Sequence, residues 1–111
     1  MEFIDDRASR IVPHATGAEE VHAAAPRDRW PLGQGFERYY GFIGAETNHW
    51  APDLVNDNTV LRGGAFPPDY HLTEDLTDHA IEMVSDLRAV DANKPFFMYY
   101  ALGACHAPHH A

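Results

Sequence analysis

The sequence has a single cysteine, few basic residues and no long hydrophobic run. Cys105 stands alone in 111 residues, which excludes an internal disulfide and leaves the redox compartment undefined. With neutral histidines, eight Lys and Arg against 17 Asp and Glu give a charge of −9. Because no basic cluster is present either, the sequence argues against nucleic acid and anionic membranes as partners.

A leader and a membrane span are also missing from the sequence. The chain begins Met-Glu-Phe-Ile-Asp-Asp, whereas a signal peptide begins with a basic region followed by an apolar one. The longest apolar stretch, residues 96–105, is about half of the ~20 residues that a membrane helix requires. We therefore expect a cytoplasmic protein without a membrane partner.

The first half of the chain predicts few regular elements. Residues 1–35 contain repeated Pro and Gly and show neither the helical nor the strand period, so no element is predicted there. Residues 36–50 are rich in aromatic side chains and are compatible with a short helical turn or with a loop whose rings cover a pocket. Residues 54–61 predict a small hairpin around the turn-forming residues 56–58.

The second half predicts one helix and one buried strand. The helix is expected from Glu74 to Ala89 with Thr73 as its N-cap, and its apolar stripe consists of Leu76, Ala80, Met83, Val84 and Leu87. Residues 96–102 are apolar at every position, which is typical of a strand covered on both faces in a parallel sheet. One helix and one buried strand make an incomplete sheet, so we expect part of a larger α/β domain.

Polar residues follow the predicted buried strand directly. In α/β sheets ligands bind outside the carboxyl ends of the strands, where His106, His109 and His110 stand. These histidines suit acid/base work, anion binding or metal binding, and they are equally compatible with an exposed polar loop. Cys105 stands beside His106, which suggests a nucleophile pair. Neighbours on an extended chain point in opposite directions, so we expect Cys105 to be a small buried thiol instead.

Two other patterns predict ordinary loops. Gly33-Gln34-Gly35 lacks the preceding strand and the third glycine of a dinucleotide-binding turn, so we interpret it as a simple turn. Asp53, Asp57 and Asp69 lack the spacing and the closing Glu of an EF-hand loop, and we expect them to be solvated carboxylates.

Four passages in order resemble bacterial arylsulfatases. None is specific alone, but together they cover most of the chain. They are residues 27–42, residues 51–58, residues 70–76, and residues 94–100 running into 106–109. Residues 14–111 are therefore interpreted as a partial sulfatase domain, and residues 1–13 as a divergent N-terminal segment.

The resemblance implies a fold, an activity and two site residues. The fold of the family is the alkaline-phosphatase-like α/β/α sandwich, and its members hydrolyse sulfuric esters with a formylglycine and a bound calcium ion. His106 matches the family histidine that contacts the sulfate after the buried strand. His14 matches the histidine of the Gly-Lys-Trp-His motif, which lies near the formylglycine. Both are expected to be catalytic.

The sequence also departs from the family pattern. Val12 and Pro13 replace the lysine and tryptophan of that motif, and the formylglycine motif Cys-x-Pro-x-Arg is absent. The acidic residues that hold the metal have no counterparts, so we expect no cofactor or metal site in this chain and no activity of the chain alone. A fragment of a phosphatase or phosphonate hydrolase of the same superfamily is one alternative. A small non-catalytic binding module, using residues 36–50 and the terminal histidines, is the other.

Overall fold

A computed structural model describes residues 26–61 and 65–107, and the backbone of residues 2–4. These parts contain five short strands and one long helix. A 3-10 turn at Pro31–Gln34 precedes the second strand and ends at Gly35, whose φ of 104° is left-handed. The elements are β1 (Glu2–Ile4), β2 (Phe36–Gly41), β3 (Leu54–Asn56), β4 (Thr59–Leu61), α1 (Leu72–Val90) and β5 (Phe97–Tyr99).

The strands form one antiparallel sheet in the order β4-β3-β2-β1-β5. In the register, Phe3 faces Arg38 on one side and Met98 on the other. The described residues thus form a small α/β arrangement with one helix, as expected. The expectation of parallel pairing is wrong for these strands, since each pair runs antiparallel. The strand β1 also lies in a region where the sequence predicted no element.

Residues 36–41 form the central strand β2 rather than a helical turn or a loop. Successive side chains of a strand point to opposite faces, so Tyr39 and Tyr40 enter two different clusters. Tyr40 packs with α1, while Tyr39 packs with Trp30 and Val55. Both tyrosines are buried. The spacing of the aromatic residues resembled a helix because a strand with both faces covered loses its alternation.

The hairpin predicted over residues 54–61 is confirmed by β3 and β4. Asp57 adopts the left-handed conformation at the turn, with φ of 54°, which Asp tolerates better than most residues. Its Oδ1 accepts a hydrogen bond from Tyr39 N at 2.9 Å, and its own N donates to Tyr39 O at 2.7 Å. Asp57 therefore ties the turn to β2 and is not merely a solvated carboxylate.

Helix α1 confirms the predicted stripe but begins two residues earlier. Its buried side chains are Leu72, Leu76, Ala80 and Met83, and burial of each large one contributes about 1.5–3 kcal/mol. The N-cap is His71, not Thr73: the His71 Nδ1 accepts a hydrogen bond from Thr73 N at 3.1 Å. A neutral imidazole can accept this bond as a Ser, Thr, Asp or Asn oxygen does, although the usual capping preferences omit it.

Strand β5 lies where the buried strand was predicted, but it is short and exposed. Phe97 and Tyr99 are 50% and 54% exposed, and only Met98 between them packs against the core of α1. The strand stands at the edge of the sheet and pairs with β1 alone. The prediction of a strand covered on both faces is therefore wrong for the described residues, because they provide no layer over Phe97 and Tyr99.

Candidate active site

His106 lies in a tight turn that follows β5. The backbone N of His106 donates to Gly103 O at 2.9 Å, which closes the turn. The side chain of His106 is 61% exposed. Cys105 is exposed as well, so the prediction of a buried thiol is wrong. That prediction assumed an extended chain, whereas Cys105 lies in an exposed turn.

The imidazole of His106 has a defined orientation. Its Nδ1 lies 2.6 Å from the backbone O of Ala107 and 3.4 Å from Oε2 of Glu46. Both neighbours accept hydrogen bonds, so Nδ1 must carry a proton. Nε2, across the ring, then accepts a proton in the neutral form and donates one in the imidazolium form. The exposed imidazole can therefore move a proton or contact an anion through Nε2.

The buried ring of His49 packs against this turn. His49 is 4% exposed, and its backbone O accepts a hydrogen bond from Leu72 N at 2.8 Å at the start of α1. A Cβ added at Gly103 would lie 3.1 Å from Nε2 of His49, closer than most carbon contacts. The His106 turn thus packs against the His49 ring, and a side chain at residue 103 would require the ring to shift by a few tenths of an ångström.

Gly103→Ala is expected to lower the free energy of unfolding by about 1 kcal/mol, because the buried His49 ring has little room to move. Gly44→Ala is the matched control: its Cβ would meet only Glu46 O, at an ordinary 3.6 Å. Urea unfolding followed by tryptophan fluorescence measures both. Equal stabilities of the two variants would contradict the close packing of Gly103 on His49.

A second polar cluster surrounds Asp75 on α1. Oδ2 of Asp75 accepts hydrogen bonds from the hydroxyls of Tyr40 at 2.7 Å and Tyr70 at 2.6 Å. The Nδ1 of His79 lies 3.1 Å from Oδ1, and the His79 ring stacks on Tyr40 at 3.5 Å. This cluster was not detected in the sequence analysis. The i,i+4 spacing of Asp75 and His79 was the one local signal for it.

The Asp75 cluster is structural in its chemistry. Burial, and then the hydrogen bond to Asp75 and its charge, raise the pKa of Tyr40 and of Tyr70 well above the usual range. Both hydroxyls therefore stay protonated and act as donors to the carboxylate. They hold β2 and the segment before α1 against the first turns of the helix, and they are unsuited to accept a proton near neutral pH.

These raised pKa values predict a loss of stability in alkaline solution. Above pH 10 the unfolded chain releases its tyrosine protons first, so the free energy of unfolding falls as the pH rises, and each of the two partly buried hydroxyls contributes to this decline. Tyr70→Phe removes one of them and should flatten the decline between pH 10 and 12. Urea titrations at several pH values test this, and an unchanged slope in Tyr70→Phe would contradict it.

Residues 26–61 and 65–107 offer no metal centre. No group of three or more His, Cys, Asp or Glu in those ranges has a metal-binding arrangement. The carboxylate of Asp75 is already used by Tyr40, Tyr70 and His79. These residues therefore do not fit a calcium ion, and the sequence lacks the Cys-x-Pro-x-Arg motif for a formylglycine.

Three of the predicted histidines have no described position, and the described residues form a cavity away from the His106 turn. His14, His109 and His110 fall outside the described residues. A cavity of about 240 Å³ lies beside the end of α1, where Arg38 forms a 2.9 Å ion pair with Asp86. It shares no residue with the His106 turn.

Among the described helices, none combines the length and the apolar character of a membrane span.

Comparison with protein-family models decides the family. The Sulfatase family model matches residues 14–111, well over half of the chain. The chain belongs to the sulfatase family. This confirms the resemblance seen in the four sequence passages, and the small α/β arrangement of this sulfatase-family chain is compatible with part of such a domain. No curated protein and no solved structure gives a significant match.

Proposed function

We propose that residues 14–111 are a segment of a hydrolase that cleaves sulfuric esters, with aryl sulfates as the substrate class. His106 and His14 are the residues proposed to act on the sulfate group. In the family, the nucleophile is a formylglycine and the metal is calcium. The described residues fit neither group. The nucleophile and the metal ligands therefore belong to other parts of a longer protein, and this chain contributes the two histidines alone.

The observation that carries this proposal is the oriented, exposed imidazole of His106. A sulfate ester presents oxygens that accept hydrogen bonds, and the oxygen that leaves the sulfur needs a proton. With the Nδ1 proton facing Ala107 O and Glu46, the imidazolium form of the ring can donate its Nε2 proton to such an oxygen. His106 follows β5 along the chain, and the resemblance to the family is what points to it as the sulfate contact.

The exposed side chains of β5 favour a segment of a larger domain over a small binding module. Phe97 and Tyr99 project from a strand that has one edge unpaired among the described residues. A self-contained module protects such an edge with charges, proline or a covering loop. Other parts of a longer sulfatase would cover these rings and pair with the edge.

The isolated 111-residue chain is expected to be inactive. Without Cys-x-Pro-x-Arg and without a calcium site among the described residues, it lacks a nucleophile and a Lewis acid for the reaction. Purified chain with 4-nitrophenyl sulfate, with and without added calcium, should release no nitrophenolate above the background. Calcium-dependent turnover by this chain would falsify the assignment of the nucleophile and metal to other segments.

The DNA on both sides of the coding sequence tests the proposal itself. It should encode Cys-x-Pro-x-Arg, or its serine version, upstream of residue 14 in the same or a shifted frame. It should also encode the acidic metal ligands that this chain lacks. Flanking DNA without either feature, read through to unrelated genes on both sides, would contradict the proposed segment of a sulfatase.

A further inference from the structure

Glu46 lies in the loop between β2 and β3, and this loop is held by its own side chains. Thr47 Oγ1 accepts a hydrogen bond from Asp53 N at 3.0 Å. Asn48 Oδ1 accepts from Trp50 N at 2.8 Å and from Ala51 N at 3.2 Å. The next residue, His49, is buried under Gly103. Glu46 is therefore carried by a fixed loop that also packs under the His106 turn.

The contact between Glu46 and His106 joins two distant parts of the sequence. Oε2 of Glu46 lies 3.4 Å from Nδ1 of His106, while the other acceptor of Nδ1 is the backbone of Ala107, next in sequence. An adjacent carbonyl moves together with the turn and cannot fix the ring relative to the rest of the site. A carboxylate on a separate, fixed loop can do so.

We propose that Glu46 is a positioning residue for His106. Its carboxylate faces the protonated Nδ1 at ion-pair distance, favours the tautomer that carries this proton and keeps Nε2 turned away from the loop that carries Glu46. The inference rests on the proposed function for its catalytic consequence. Its structural part stands independently, because the tautomer and the orientation of the ring belong to this chain without any substrate.

Imidazole 15N NMR on the 111-residue chain tests the structural part. With 15N-histidine labelling, at a pH at which the ring is neutral, wild-type His106 should show mainly the tautomer protonated at Nδ1. Glu46→Ala should shift His106 towards the tautomer protonated at Nε2. Glu46→Gln should keep the wild-type pattern, because the amide oxygen still accepts the Nδ1 proton. Glu37→Ala, which removes an exposed acid from β2, is the charge-matched control.

Kinetics of the longer sulfatase that contains this segment test the catalytic part. Glu46→Ala should lower kcat for 4-nitrophenyl sulfate about tenfold, with KM changed less than twofold, because an imidazolium ring that is no longer held at Nδ1 less often directs its Nε2 proton at the leaving oxygen. Glu46→Gln should recover part of this loss. Glu37→Ala should leave both constants unchanged.

The two measurements separate the two claims. An unchanged His106 tautomer in Glu46→Ala would overturn the positioning role, whatever the kinetics show. A changed tautomer in an enzyme that does not hydrolyse sulfate esters would retain the positioning role and contradict the proposed function. A changed tautomer together with an unchanged kcat would overturn the catalytic consequence of Glu46.

Discussion

His106→Ala, made in the longer sulfatase proposed to contain this segment, is expected to lower kcat for 4-nitrophenyl sulfate by about 10²–10⁴. The imidazole is the exposed group at the end of β5 whose Nδ1 is already held by Ala107 O and Glu46, which leaves Nε2 for the substrate. Alanine removes the proton donor and a cation that neutralises the sulfate. Steady-state kinetics with a saturating aryl sulfate measure the loss.

Cys105→Ala is the control for the His106 variant. Cys105 lies in the same turn and is exposed, but it has no role in the proposed chemistry. Its removal should leave kcat within twofold of the wild-type value, which shows that the turn tolerates substitution. A His106→Ala enzyme that retains more than a third of the wild-type kcat would show that this imidazole neither donates the proton nor binds the sulfate.

Asp75→Ala is expected to lower the free energy of unfolding of the 111-residue chain by about 3 kcal/mol. The carboxylate accepts hydrogen bonds from Tyr40 and Tyr70 and pairs with His79. Alanine leaves the two hydroxyls without this acceptor, and each buried group left without a partner costs about 1–3 kcal/mol. Urea unfolding followed by helical circular dichroism measures the change at low protein concentration.

Two variants of the same helix show whether the Asp75 effect is specific. Asp78→Ala removes an exposed acid from the next part of α1 and should cost less than about 0.5 kcal/mol. Asp75→Asn keeps an oxygen acceptor and loses the charge, so its cost should be intermediate. If Asp75→Ala and Asp78→Ala lose the same stability, the hydrogen bonds of Tyr40 and Tyr70 do not support the helix.

Local patterns were enough to predict α1 and the hairpin. The stripe from Leu76 to Met83 follows the helical period, and the β3–β4 turn has residues that tolerate left-handed backbone at Asp57. Both signals lie within a few residues of the structure they specify. The N-cap was missed because His71 is not among the usual capping residues.

The strands β1 and β2 could not be predicted from local patterns. Glu2–Ile4 is three residues long, and its pairing with β2 and β5 involves residues far along the chain. Strand β2 has Tyr39 and Tyr40 buried on opposite faces, which removes the alternation that identifies a strand. The contacts that decide these two elements are long-range, and no window of sequence contains them.

The candidate site was predictable in part. The sequence placed His106 after a strand, and the structure does so as well. Its partner Glu46 and the supporting ring of His49 lie on the loop after β2, and no spacing rule connects them with residue 106. The apolar run of residues 96–102 predicted burial that the described residues do not provide. Such a run predicts a strand covered on both faces, and the covering layers would come from the proposed longer domain.

The central claim, that residues 14–111 are part of a sulfuric ester hydrolase, is tested most directly by substrate preference. The measurement compares kcat/KM for 4-nitrophenyl sulfate and 4-nitrophenyl phosphate in the longer protein that contains this segment. We expect a higher kcat/KM for the sulfate and a loss of that activity in His106→Ala. A preference for the phosphate, or no hydrolysis of either ester, would contradict it.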